Sequence, residues 1–486
     1  MNASSAVLLN WLLFFPFVAA VVIAAFPRIL RLLPAQERSL ALGAPGATAV
    51  ATVLLSLGVA GAMGAAIARE GYVYADYLWT PAFFQLRLRL DALGFYALLA
   101  ILAALLPTAV WASATGARDH LRWAGFAGAL GAFTGVVLAA DLVVLYIFWE
   151  LSALALWVAL APPFAPGKRF LAWSHAGGLC VLVAVLLVAG MTLDTHIYSA
   201  GPGLLMQRLS WVKWVGLLLL VGLAFKLGLA PAHSWLRDLT HAGSGIWGVA
   251  LPGVGLVTAG YGAIRLVSYI LPSYAAAALA WLPALLGLIT VVYAGMRALL
   301  ADDPATGVSF LLAAAAGQVA FALGVGMRGA SAGLTGAIAL LLPLALGASL
   351  LGAGGAGGLG AATWRDLRGR FRSAPAQGTA LLAGVWTLAG APPLAGFWAQ
   401  RAVVAAARHE GVGLSALALI APILFAAYGV RAATIGFARD GGSPGREPRW
   451  RGWWVFGVVL LSAALGMAPG LWMPYVLKIT QSLTGG

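Results

Sequence analysis

Two ionisable residues stand inside otherwise apolar runs. Glu150, in Leu145-Tyr146-Ile147-Phe148-Trp149-Glu150-Leu151, is the acid set deepest within such a run. Lys226, in Leu223-Ala224-Phe225-Lys226-Leu227-Gly228-Leu229, is the matching base. A charge at the centre of a membrane costs about 2.5–3.5 kcal/mol on an insertion scale, so each residue needs a partner or a task. Burial disfavours the charged form of both, and a nearby opposite charge restores it. A Glu/Lys pair of this kind can store a proton and release it when a neighbouring charge changes. The same pair can also serve simply to tie two helices together.

Lys226 is followed by Pro231, His233, Trp235 and Asp238, with His241 further on. Proline after the lysine predicts a broken or kinked helix. Broken helices at mid-membrane expose backbone groups to ions and water. A second break is predicted at Pro392-Pro393, within Leu388-Ala389-Gly390-Ala391-Pro392-Pro393-Leu394-Ala395-Gly396-Phe397-Trp398. Two interrupted helices in corresponding positions suggest an inverted repeat. His233 and His241 are eight residues apart with no cysteine near, a poor fit to a zinc site. A proton relay or a local hydrogen bond suits them better, and no metal site is expected. His175 reads either as a member of a water chain or as a satisfied buried histidine. The one cysteine, Cys180, reads as a small buried hydrophobe; it can form no intrachain disulfide and does not reveal the redox compartment.

The elements that must position these residues follow from composition. Of 486 residues, 62% are hydrophobic and only 9% charged, against about 25% charged in ordinary soluble domains. Polar surface could not cover a soluble fold of this make-up. A cytosolic enzyme, a disordered chain and a nucleic-acid binder are excluded, so the net charge of +14 is read as topology. Apolar segments lie at roughly 5–26, 40–68, 91–113, 122–140, 142–162, 170–193, 211–230, 247–270, 275–300, 306–326, 332–354, 377–407, 413–437 and 453–475. Each is about 20 residues or longer, enough to span a bilayer. The first is read as a transmembrane helix and not a cleaved signal, because its basic residues Arg28, Arg31 and Arg38 come after it. The sequence thus predicts an all-α integral membrane protein of about fourteen helices in one polytopic domain. Residues 1–121 hold helices 1–3, and 453–475 form helix 14. Two inverted five-helix repeats lie between, helices 4–8 in 122–270 and helices 9–13 in 275–437, each with a broken helix. Alternation in 84–90 suggests a short strand or hairpin at the membrane surface.

Charge placement agrees with this count. The loops after the odd-numbered helices hold eighteen of the 29 Lys and Arg residues; the other side holds nine, Arg265 among them. Lys226 and Arg401 fall within helices. The richer side is expected to be cytoplasmic, with both termini on the other. The basic run Arg365–Arg372 reads as a topology determinant. The glycine-rich run Gly352–Gly360 reads as a helix end and a loose connection.

Several of these segments together resemble the antiporter-like membrane subunits of respiratory complex I (NADH-quinone oxidoreductase) and its relatives, the membrane-bound hydrogenases and the multisubunit cation/proton antiporters. Leu90-Asp91-Ala92-Leu93 is similar to the family's Leu-Asp-Gly-Leu segment, and Phe148-Trp149-Glu150-Leu151 to its helix 5 signature. Phe225-Lys226 with Pro231-Ala232-His233-Ser234-Trp235-Leu236 resembles its broken helix 7, and Gly390-Ala391-Pro392-Pro393-Leu394-Ala395-Gly396-Phe397 its broken helix 12. The resemblance covers nearly the whole chain. It implies proton translocation coupled to a partner module, with Glu150 and Lys226 as the ion pair between helices 5 and 7. The chain departs from the pattern further on. Thr258 stands where the family commonly has a lysine on helix 8. Gln318 and Pro343 match the histidines of helices 10 and 11. Gln400, followed by Arg401, stands where helix 12 usually carries Lys or Glu.

Three uses remain open. The first is a proton-translocating subunit in which Glu150 and Lys226 form a switchable half-channel, helped by His233, His241, Thr258, Gln318, Gln400 and Arg401. The second is a non-pumping scaffold that keeps the pair as a structural relic. The third is the proton-conducting partner of a zinc-dependent, carbonic-anhydrase-like subunit in inorganic-carbon uptake. A substrate-specific secondary transporter fits the fold but not the helix 7 motif. No catalytic residue or cofactor is expected, because the chain carries no flavin, quinone, iron–sulfur or nucleotide motif; redox chemistry would belong to partner chains. The expected partners are other membrane subunits, the inner-membrane bilayer and protons, with Na⁺ as the alternative ion, and no nucleic acid.

Overall fold

Hydrocarbon offers a peptide group no hydrogen-bond partner, so long apolar runs close their backbone bonds within helices. The computed structural model of the chain describes residues 3–32, 43–80, 84–160, 167–243, 245–355, 363–439 and 447–484. Helices α1 (Ala3–Leu32) and α2 (Ala44–Glu70) lead to a hairpin of β1 (Tyr72–Thr80) and β2 (Phe84–Asp91). Next come α3 (Ala92–Ala114), α4 (His120–Leu138), α5 (Leu142–Leu160), α6 (Lys168–Thr192) and the short α7 (Ile197–Leu204). A break separates α8 (Leu209–Lys226) from α9 (Ser234–Ala242). Then follow α10 (Trp247–Ile270), α11 (Ser273–Leu279), α12 (Trp281–Leu300), α13 (Pro304–Gly326) and α14 (Ser331–Gly354). Two single turns, α15 (Trp364–Leu367) and α16 (Arg370–Ser373), carry the basic run. A second break separates α17 (Pro375–Ala389) from α18 (Gly396–Glu410), and α19 (Val412–Ala418), α20 (Ile420–Gly436), α21 (Arg449–Met467) and α22 (Met473–Thr484) complete the chain.

Among the described residues, thirteen helices are long and apolar enough to cross a membrane. The fourteenth expected segment, 377–407, is the interrupted pair α17/α18. The last expected segment, 453–475, needs correction: its helix stops at Met467, Pro469 opens a 3-10 turn, and α22 is a separate helix. Proline has no N–H with which to continue the ladder. The glycine-rich run is helical through Gly354, while its residues 356–360 lie outside the described residues. Helices α13 and α14 are buried over their whole surface and α10 nearly so; α1, α2, α20 and α21 turn apolar faces outward. Helices enclosed by others in this way can be apolar on every face, and the few polar side chains they carry are buried with them.

The hairpin supplies the one sheet among the described residues, with Tyr72 opposite Asp91 and Val73 opposite Leu90. Val73, Ala75, Leu88 and Leu90 point inward, as the alternation in β2 predicts. Asp91 ends the hairpin and caps α3, accepting from the Gly94 amide at 2.9 Å. Its two oxygens also take both ends of the Arg265 guanidinium, at 2.5 and 2.6 Å. Arg265, counted above as a loop charge on the poorer side, is fully buried on α10, so the basic bias of the richer side is larger than that count gave. Its Nε donates to Tyr261, whose hydroxyl donates to the Val137 carbonyl. Tyr198 donates to Asp91 at 3.1 Å, and Arg89 lies between the rings of Tyr72 and Tyr198. One ion pair thus joins the hairpin and α3 to the central helix.

Burial pushes the Asp91 carboxyl up, but the Arg265 guanidinium overcomes it and holds the group at about 2. Arg265→Leu strands a buried carboxylate and is expected to cost about 3–5 kcal/mol, read as a lower melting temperature in detergent. Because the folded value lies below the unfolded one, this contribution is complete above about pH 4 and disappears as the pH falls toward 2. The melting temperatures of wild type and variant should therefore converge on acidification; a constant gap would refute the assignment.

Candidate functional site

The two breaks share a local plan. Helix α8 ends at Lys226; Gly228 follows with φ +61° and Pro231 after it. Helix α17 ends one residue past Leu388; Gly390 follows with φ +74° and Pro393 after it. The left-handed turn at each glycine is one that a side chain disfavours. Prolines Pro231 and Pro393 both follow cis peptide bonds. In this register Leu388 stands where Lys226 stands, and Gln400 where Asp238 stands. Freed backbone groups are taken up by side chains. The Ala230 amide donates to Thr290 on α12 at 2.9 Å, and the Ala395 amide to Ser462 on α21 at 3.3 Å. Gln400 donates its side-chain amide to the Leu388 carbonyl at 2.8 Å.

Lys226 meets Glu150, from the middle of α5, at 2.8 Å between Nζ and Oε1. The same Nζ donates to Ser174 on α6 at 2.9 Å. The second carboxylate oxygen, Oε2, lies 2.5 Å from Nδ1 of His175, also on α6. The three side chains are graded in exposure: 6% for Lys226, 16% for Glu150 and 48% for His175. Glycines make this approach possible. A Cβ on Gly222 would lie 2.6 Å from the Gly177 carbonyl, so α8 and α6 touch along bare backbone. A Cβ on Gly178 would collide with Glu150 Oε1, so the carboxylate sits in the space that this glycine leaves. Phe148 and Trp149, beside the acid, are seated against Gly135 and Gly262. Helix α6 thus supplies a hydroxyl, an imidazole and a gap to one ion pair.

The other residues singled out by sequence lie apart from this cluster. His233 packs against Tyr293 and Phe310, and its buried Nδ1 has no hydrogen-bond partner among the described residues. His241 is exposed and bonds Thr306 at 2.9 Å, with Asp303 at 4.0 Å. It lines a cleft of 720 Å³ together with Lys168, Arg169, Arg237 and Asp238. Thr258 is buried and donates to the Val254 carbonyl of its own helix at 3.0 Å. Gln318 and Gln400 form a reciprocal amide pair, 2.9 Å in both directions. Arg401 is exposed and lies over the Trp398 ring at 5.0 Å. The structure therefore joins Glu150 to Lys226 and Gln318 to Gln400, and leaves His233, His241, Thr258 and Arg401 outside both pairs.

Two expectations need correction. His175 is not a buried histidine but a half-exposed one on Glu150, because α6 turns this edge outward. Cys180, on the same helix, is only partly buried. Ser174 and Gly178, which touch the ion pair, were passed over by sequence reasoning. The signal was present: a Ser-His pair followed by Gly177-Gly178 within an apolar segment.

The chain is similar to several known proteins. A family model described as NADH:quinone oxidoreductase/Mrp antiporter, TM matches residues 139–425. NADH-quinone oxidoreductase subunit 14 of Thermus thermophilus is 32% identical over 269 residues, 53% of this chain and 57% of that protein. NADH-quinone oxidoreductase subunit N 2 of Roseiflexus castenholzii is 28% identical over 316 residues, 60% of this chain and 62% of that protein. The chain thus spans about three fifths of the length of these curated relatives. A chain of the Mrp complex from Dietzia sp. DQ12-45-1b superposes with a TM-score of 0.86 at 18% identity, covering 100% of this chain and 98% of that one. At that identity the likeness is one of fold.

Two substitutions test the packing of the site. Gly178→Ala drives a methyl into the Glu150 carboxylate and is expected to cost about 1–3 kcal/mol and to separate Glu150 from Lys226. Gln400→Leu strands the Leu388 carbonyl and the Gln318 amide, again for about 1–3 kcal/mol. Thermal melts in detergent measure both; a wild-type melt for either would remove the contact from consideration.

Proposed function

The chain belongs to the NADH:quinone oxidoreductase/Mrp antiporter transmembrane family, and from that premise we propose that it is a proton-translocating subunit of a larger membrane complex. The observation that carries this reading is the nearly enclosed Glu150–Lys226 pair, set where a helix breaks in mid-span. As an ion pair the two charges compensate each other. A proton taken by Glu150 leaves Lys226 as an uncompensated buried cation, which costs several kcal/mol. Lys226 is then driven to release its own proton, or Glu150 to return the one it took. A charge moved by a partner module near the pair selects between these outcomes. The relatives named above belong to NADH-quinone oxidoreductases and an Mrp complex, which supports a partner of that kind.

In this proposal residues 122–270 and 275–437 are the two inverted repeats, as the shared plan of their breaks suggests. The more basic side faces the cytoplasm and both termini the opposite side. Protons are the ion carried in this proposal, because Glu150 and Lys226 can each take up and release one. Only the first repeat works as a charge-holding half-channel.

One observation favours a second reading, a non-pumping scaffold. Gln318 and Gln400 satisfy each other, and Leu388 occupies the place of Lys226. Amides cannot hold a charge, so the second half offers no obvious station for a proton crossing the membrane.

Proton flux through the whole complex in sealed vesicles separates the two. Glu150→Gln and Lys226→Ala are each expected to lower flux at least about tenfold with the complex still assembled, the loss usual for a proton-transfer group. Unchanged flux in both assembled variants would leave the pair structural and make the chain a scaffold.

A further inference from the structure

We infer that the cleft between the start of α6 and α9 is a headgroup site for an anionic phospholipid, its phosphate held by Lys168, Arg169 and Arg237 and an acyl chain lying along the outer face of α6. The cleft measures 720 Å³; Lys168 and Arg169 line it from one helix, and Arg237, Asp238 and His241 from the other. That volume lies within the roughly 300–1,000 Å³ usual for small-molecule sites. Its charges do not balance. Asp238 lies 3.8 Å from Arg169 and answers one cation. Lys168 and Arg237 are exposed, and neither belongs to an ion pair among the described residues. His241 is turned to Thr306 at 2.9 Å, with Asp303 at 4.0 Å. Three cations against one acid in the cleft itself leave an excess of positive charge, shared by two helices that pack together.

The face of α6 below the cleft indicates which anion fits. Lys168, Ala172, His175, Leu179, Val183 and Leu186 are all exposed and follow one another at steps of three and four, so they form one stripe. Apart from His175, which is turned to Glu150, the stripe below Lys168 is apolar. On a membrane span, an uncovered apolar stripe faces hydrocarbon. The stretch from Lys168 to Leu186 is about 27 Å of helix, close to the roughly 30 Å of a hydrocarbon core. Lys168 therefore stands at the level of the lipid phosphates. A soluble anion would meet the charges and miss the stripe. A phospholipid meets both. Guanidinium groups pair two phosphate oxygens at once, and lysine adds a point charge. Basic pockets between membrane helices on the more basic side of a bundle suit anionic headgroups for this reason.

A phosphate in this place joins two elements of the candidate site. Helix α6 carries Ser174 and Gly178, which touch the Glu150–Lys226 pair, and α9 continues the chain beyond the first break. Within the cleft the direct tie between them is the Arg169–Asp238 pair, with Arg169 74% exposed. A pair so open to solvent contributes little. An anion bound to Lys168 and Arg169 on one side and Arg237 on the other adds charge-assisted bonds across the same gap. Because it binds the folded chain and not the unfolded one, it stabilises the fold in proportion to its occupancy. The inference stands whether or not the ion pair translocates a proton.

The test is a thermal melt of the full chain, delipidated in detergent and titrated with phosphatidylglycerol, phosphatidylcholine or inorganic phosphate. Phosphatidylglycerol is expected to raise the melting temperature to a plateau, and less so as salt is added. Phosphatidylcholine and inorganic phosphate are expected to leave it near the lipid-free value. Lys168→Gln/Arg237→Gln should need at least about tenfold more phosphatidylglycerol for half the shift. Arg365→Gln/Arg372→Gln, which removes the same charge from α15 and α16, should respond like wild type. Native mass spectrometry gives a second reading that does not depend on the lipid-free melt: the Lys168/Arg237 variant is expected to carry one phosphatidylglycerol fewer. An equal shift with phosphatidylcholine would show that the headgroup is not read. An equal shift with inorganic phosphate would make the cleft a site for a free anion, and stabilisation by polyglutamate in place of the lipid would give it to an acidic protein segment. An equal loss in Arg365→Gln/Arg372→Gln would mean that the lipid reads overall charge. Each of these results overturns the proposal, as does a wild-type response and lipid count in Lys168→Gln/Arg237→Gln.

Discussion

A helix interrupted inside hydrocarbon releases backbone groups that lipid cannot solvate, and much of this structure answers that constraint. At the first break the Ala230 amide goes to Thr290; at the second the Ala395 amide goes to Ser462. Each donor comes from a break and each acceptor from a neighbouring helix, α12 at the first and α21 at the second. Neither break could exist in an isolated segment, because its hydrogen bonds are completed by a neighbour distant in sequence. In the assembled bundle these neighbours hold the freed amides where each interruption lies. The first break places the end of α8, and with it the Lys226 ammonium, against α5 and α6.

The same constraint governs the charges. A lysine at the end of a half-helix is favourably placed, because unsatisfied carbonyls gather there. It still needs a counter-ion, and Glu150 supplies one from α5 at 2.8 Å. Helix α6 adds nothing charged on the Lys226 side, only the Ser174 hydroxyl and the absent side chains of Gly177 and Gly178. On the other side of the carboxylate it adds His175. A single carboxylate is thus shared between an enclosed base and an open one, and its two oxygens report on different surroundings. Asp91 makes the contrast plain. Both of its oxygens go to one guanidinium that hardly ever gives up its proton, in a cage of tyrosines, and that pair holds the hairpin to α10. Glu150 faces two groups that can give up protons.

Much of this was legible along the chain. Apolar runs marked the spans because backbone satisfaction leaves helices as the sole choice for an α-type membrane protein. Prolines marked both breaks, since they remove a donor wherever they stand. Glu150 and Lys226 were conspicuous because almost nothing else in their segments is polar. What sequence could not supply was direction and distant contact. Arg265 reads as a loop charge until Asp91, 174 residues away, is seen to take both its ends. His175 reads equally as a water-chain member or as a buried histidine until the rotation of α6 is known. The last span reads as running on to residue 475, because Pro469 falls among residues apolar enough to continue it. Gln318 and Gln400 were each legible as losses of charge, but their reciprocal bond depends on two helices meeting at one level.

The difference between the two halves follows from what each break has to satisfy. In the first, the cation at the end of α8 demands an acid, and the acid recruits a histidine. In the second, Leu388 makes no such demand, and the freed carbonyl is answered by the neutral Gln400 amide. Gln318 then completes that amide, leaving both side chains satisfied without a net charge. A neutral pair of this kind avoids the desolvation penalty that an ion pair carries and holds its geometry at any pH. The plan of the break is kept while its electrostatics are exchanged, so the second half can retain the fold and the packing without the titratable centre of the first. Among the described residues the two breaks thus differ in charge: the first ends in the Lys226–Glu150 pair, the second in the neutral Gln400–Gln318 pair.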